Sequence, residues 1–135
     1  MKKKTLALVV PMFLLSGCAV FDPMGHHRAT RCNTQVCHVE VTVSTECKAG
    51  VDHEYIYVGR THPDVRFIWS IRGPGEFAAN GIDVKGAPPF GGRLPGSKNY
   101  KWDFRNQGPS GRWKYDVNVT LNGRACPTFD PFIMN

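Results

Sequence analysis

The sequence predicts an all-β protein, a small antiparallel sandwich, and three observations carry that expectation. From Val36 to Ser44, the residues Cys37, Val39, Val41 and Val43 fall on one face and His38, Glu40, Thr42 and Ser44 on the other, the period of two of a half-buried strand. Arg112 to Leu121 repeats the pattern, with Trp113, Tyr115, Val117, Val119 and Leu121 alternating with Lys114, Asp116, Asn118 and Thr120. Asn80-Gly81 and Asn122-Gly123 are the dipeptides that accept positive φ at both central positions of a two-residue hairpin turn. Beyond the N-terminal segment no stretch repeats apolar residues at intervals of three and four over a helix length. Roughly six to eight short strands with a turn every dozen residues favour an immunoglobulin-like sandwich.

Met1-Lys2-Lys3-Lys4 precedes an apolar run from Leu6 to Leu15, the layout of a secretory signal peptide. A run of about ten residues is half of the roughly 20 that a membrane-spanning helix needs. Leu15-Ser16-Gly17-Cys18 resembles the lipobox of bacterial lipoproteins. That resemblance implies lipidation of Cys18, removal of residues 1–17 as the signal peptide, and a mature chain anchored to the membrane through lipid. It places the protein in the cell envelope. Ala19, in place of an acidic residue after the lipidated Cys, implies the outer membrane. Two or more acyl chains hold a protein stably where one holds only marginally.

Residues 18–30 mix Pro, Gly, His and Arg without periodicity and read as a flexible tether, leaving 31–135 as the sandwich domain. After the Val36–Ser44 strand, Glu54 to Val58 is a shorter candidate, and if Ile56 and Val58 face the core then Tyr55 and Tyr57 face outward. Val65, Phe67, Trp69 and Ile71 make a third apolar face, with Ile82 to Val84 and Tyr100 to Phe104 as further short strands. Between these, seven of the twelve residues of Gly86 to Ser97 are Gly or Pro, which excludes a central strand. This segment reads as a crossover loop, and Phe90 and Arg93 are its candidates for contact with a partner.

The remaining cysteines are Cys32, Cys37, Cys47 and Cys126, an even number that outside the cytoplasm reads as two disulfides. Of the three connectivities, Cys37–Cys47 and Cys32–Cys47 are disfavoured. Ten extended residues span about 33 Å, while bridged Cα atoms lie within about 7 Å. Cys32–Cys37 with Cys47–Cys126 is the favoured scheme. An early Cys-led, Val-alternating strand and a C-terminal Cys followed by Asp-Pro, here Cys126 and Asp130-Pro131, also resemble small envelope lipoproteins of proteobacteria.

Composition narrows function mostly by exclusion. The chain carries 17 Lys and Arg against 11 Asp and Glu, a net +6, and Lys2, Lys3 and Lys4 supply three of those charges. The remaining positive charges are dispersed, so a nucleic-acid partner, which calls for a clustered basic patch, is not expected. Ser70 has no Gly-flanked elbow, and Asp52-His53-Glu54 cannot assemble a relay because neighbouring strand residues point to opposite faces. Neither catalysis nor a cofactor is expected. The five histidines, His26, His27, His38, His53 and His62, keep a periplasmic metal-binding protein as the alternative. The leading expectation is a non-catalytic binding or structural module whose contacts with an envelope protein or glycan are made by Tyr55, Tyr57, Phe90 and Arg93.

Overall fold

The computed structural model describes residues 28–86 and 89–135. The lipobox with Cys18, most of the expected tether, and His26 and His27 lie outside the described residues. In chain order the strands are β1 (Ala29–Cys32), β2 (Val36–Val43), β3 (Ala49–Val51), β4 (Tyr55–Val58), β5 (Asp64–Arg72), β6 (Glu76–Val84), β7 (Phe90–Leu94), β8 (Asn99–Arg105), β9 (Arg112–Leu121), β10 (Arg124–Ala125) and β11 (Phe132–Met134). They form two sheets, one ordered β1-β4-β11-β9-β10 with β6 on the other side of β9, the other ordered β3-β2-β5-β8-β7. Among the described residues there is no helix.

The three alternating runs deliver the core as their patterns require. Val39 and Val41 of β2, Val65, Phe67 and Trp69 of β5, and Tyr115, Val117 and Val119 of β9 are each at most 2% exposed. Tyr100 and Phe104 of β8, with Ile56 and Ile133, complete the layer between the sheets.

The sandwich is mixed rather than purely antiparallel: β1 with β4, β4 with β11, and β2 with β5 run parallel. The cause is the way the chain alternates between sheets. β1 passes to β2 in the opposite sheet, and β4 passes to β5 in the same manner. Two such arches lie side by side, so equivalent strands pair in parallel, and consecutive strands are facing layers rather than hairpin partners.

Each arch is closed differently. Cys32 and Cys37 bridge the first, with Cα atoms 5.9 Å apart. The second is held by Asn106, 5% exposed, whose Nδ2 donates to the carbonyls of Gly59 at 2.7 Å and His62 at 3.1 Å. Its backbone N–H donates to Pro63 O at 2.7 Å, and its Oδ1 accepts from Asn135 Nδ2 at 3.0 Å. At the opposite end of the sandwich Cys47 is joined to Cys126, with Cα atoms 5.0 Å apart. The two disulfides therefore tie the sheets together at opposite ends.

The two Asn-Gly pairs behave differently. Asn122 and Gly123 have φ of 52° and 77° and form the expected two-residue turn, with Leu121 opposite Arg124. Asn80-Gly81 is not a turn. It lies inside β6, where the register against β9 shifts between Phe77 and Ile82. Those two side chains are five positions apart and would face opposite sides of a regular strand, yet both are buried, at 7% and 0% exposure. A bulge restores their common face. Gly81 is required there by crowding, since a Cβ would stand 2.7 Å from Phe77 Cβ and 3.0 Å from Ala78 O.

Candidate binding surface

Tyr55 and Tyr57 lie on the outside of the first sheet, alternating with buried Ile56 and Val58. Tyr57 is 44% exposed. Register fixes its neighbours: Arg31 of β1 is opposite Tyr57, Tyr57 is opposite Met134 of β11, and Met134 is opposite Arg112 of β9. The adjacent row is Ala29, Tyr55, Phe132 and Lys114. Residues in one row across the strands share a face, so the eight form a continuous patch.

Within the patch the rings of Tyr55 and Phe132 stack, with centroids 5.5 Å apart and planes 11° from parallel. The Arg112 guanidinium lies 3.9 Å from the Phe132 centroid and 5.9 Å from that of Tyr55. An arginine stacked in this way is held in place by the ring while the edge of its donor fork still faces outward. Lys114 is neutralised by an ion pair with Asp130. Sequence reasoning found the tyrosines and missed Arg31, Arg112, Phe132 and Met134. Phe132-Ile133-Met134 alternates, but three residues are too short for periodicity to be read.

Phe90 and Arg93 occupy β7, an edge strand on β8, rather than the tip of a loop. Phe90 turns inward and packs against the core, its ring 4.8 Å from Phe104, 5.8 Å from Trp102 and 5.9 Å from Phe67. The expectation that it projects toward a partner is corrected: an aromatic ring beside three others gains more by burial than by projection into water. Arg93 is exposed, yet its guanidinium donates to Ala79 O at 3.0 Å and to the Tyr100 hydroxyl. It therefore satisfies a carbonyl of the β6 bulge. Asn118 Nδ2 does the same for Asn80 O at 2.9 Å.

Among the described residues, two surface cavities bear on the expected sites. The larger, about 590 Å³, lies over the second sheet between Val36, Arg66, Asp103, Arg105 and the glycines of β7. Arg66 donates to both Asp103 oxygens at 2.7 and 3.1 Å. These bonds hold the Asp103 carboxyl below its usual range. The smaller, about 200 Å³, is lined in part by His38, His53 and the Cys32–Cys37 bridge. His53 Nδ1 lies 3.2 Å from Asp52, and His62 contributes its carbonyl to Asn106. Among the described residues no three His, Cys, Asp or Glu side chains gather as a metal ligand set. Ser70 donates to Asn99 Oδ1 at 2.8 Å at the end of the β5–β8 pairing.

The chain matches no family model, and no curated protein is similar to it.

Proposed function

We propose that the protein is a lipid-anchored module of the cell envelope that binds a partner without catalysing a reaction on it. The observation that carries the binding reading is the Tyr55–Phe132–Arg112 stack set beside exposed Tyr57 on the outside of a rigid sheet. Tyr and Arg concentrate where binding energy concentrates, because each offers a large contact area together with hydrogen-bonding groups. A site built on strands keeps that arrangement between free and bound states.

The address rests on Lys2 to Lys4, the apolar run and the lipobox ending at Cys18, and the paired cysteines suit an oxidising compartment. Among the described residues no helix is long and apolar enough to cross a membrane. Lipid on Cys18 is the attachment proposed, at the outer membrane.

In a Gram-negative host the protein should take up labelled palmitate and partition into detergent, and Cys18→Ser should abolish both. Label retained by that variant refutes the anchor. For the binding reading, crosslinking in intact cells should capture a partner through the Tyr57 face, and capture should fall in Tyr57→Ala. Undiminished capture in that variant removes the face from the reading.

A further inference from the structure

We propose that the outer face of the first sheet binds an acidic polysaccharide between the guanidinium groups of Arg31 and Arg112. This rests on the binding reading above and names its partner. The two arginines end one register row, Arg31–Tyr57–Met134–Arg112, that runs across four strands. With neighbouring strands about 4.8 Å apart, their backbone positions lie about 14 Å from each other. Both side chains are exposed, and neither forms an ion pair among the described residues. Lys114, the other cation of the patch, is occupied by Asp130. The uncompensated positive charge is therefore concentrated at the two ends of the row, with a tyrosine and a methionine between.

Three properties select a glycan as the occupant. The first is size. The two rows cover roughly 14 Å by 7 Å of backbone, well short of the roughly 800 Å² per partner of a stable protein interface. The second is direction. β4 and β11 are paired on both edges, so a peptide lying between the two arginines finds no free backbone ladder to extend, the outer edge of β1 lying beyond Arg31. The third is chemistry. A pyranose ring offers C–H groups to the Tyr57 ring and hydroxyls to its oxygen, while carboxylates along the chain match the arginine forks. An anionic lipid surface is the weaker match, because such surfaces are recognised by clusters of four to eight basic residues, and this face presents two unpaired ones.

The full chain, extracted in non-ionic detergent, is applied to beads bearing polygalacturonate and to beads bearing neutral dextran. Retention is expected on the acidic polymer alone, with release at about 0.5 M salt, where screening shortens to a few ångströms. Arg31→Ala and Tyr57→Ala should each weaken retention about tenfold, the loss of one good anchor. Arg112→Lys, which keeps the charge but loses the planar stack, should also weaken it. Unfolding midpoints equal to wild type establish that these variants fold. Retention unchanged in Arg31→Ala and Arg112→Lys overturns the proposal. So does tighter binding of the Cys18→Ser chain to phosphatidylglycerol vesicles than to polygalacturonate, or binding to neither. Retention of the Cys18→Ser chain on polygalacturonate matching wild type keeps this test separate from that of the anchor.

Discussion

Asn106 does at the residue scale what no apolar side chain could do. The β4–β5 arch leaves the carbonyls of Gly59, His62 and Pro63 pointing into one end of the sandwich; the Asn106 side-chain amide satisfies the first two while bonding Asn135, and its backbone N–H satisfies the third. Asn106→Ala should cost about 1–3 kcal/mol, the expense of stranding the part-buried carbonyls of Gly59 and His62, read as a lower urea midpoint at unchanged slope. Tyr115 is the converse case. Its hydroxyl is buried without a hydrogen-bond partner among the described residues, and burial pushes its pKa upward. Folded Tyr115 stays neutral where the unfolded phenol ionises, so stability is full below about pH 10 and falls as pH rises further. Tyr115→Phe should leave neutral-pH stability within about 1 kcal/mol of wild type. It should also flatten the alkaline loss in unfolding measured from pH 8 to 11. An alkaline slope unchanged in that variant shows that other groups carry it.

Elements depend on how the sheets are tied. The Cys47–Cys126 bridge spans 79 residues and Cys32–Cys37 spans five. Loop-closure entropy assigns about 4 kcal/mol to the first and about 2 kcal/mol to the second. Replacing each pair with alanines should therefore destabilise unequally under non-reducing conditions, the long bridge costing more. Equal losses would mean that the bridges act through the native arch rather than through the unfolded chain. The β6 bulge is the other element-scale device. It turns Phe77 and Ile82 to one side, and Arg93, Tyr100 and Asn118 receive the carbonyls it displaces. Gly81→Ala should cost about 1–3 kcal/mol, as overpacking does, because the clash is with a core ring and a backbone oxygen.

For the molecule as a whole, the two disulfides make stability depend on the redox state of the compartment, so the proposed address can be tested through stability. A domain of this size has a stability of about 5–15 kcal/mol, and the two bridges account for a large part of it. The chain without residues 2–17, kept in a reducing cytosol, should accumulate as poorly soluble protein with free thiols. The exported chain should be soluble after detergent extraction and free of thiols. Thiol titration of the two preparations decides the matter, and soluble, reduced, folded cytosolic protein would break that dependence.

Fold class and core are legible in the chain alone. Period-two runs assign Val39, Val41, Phe67, Trp69, Tyr115 and Val117 to the interior whatever the strands pair with, because alternation depends only on the local backbone. The sequence also ranked the cysteine pairing, since a strand between two cysteines holds them apart, and it put Tyr55 and Tyr57 on one face without deciding which face is outside. Tertiary structure decided the rest. Parallel pairing of the arches, the inward turn of Phe90, the bulge at Asn80-Gly81 and the row from Arg31 to Arg112 each depend on residues distant in the chain. Local propensity carries no information about which strand will lie alongside. The candidate surface is assembled from four strands, three of them only three or four residues long, and so it comes into being only when the sheet closes.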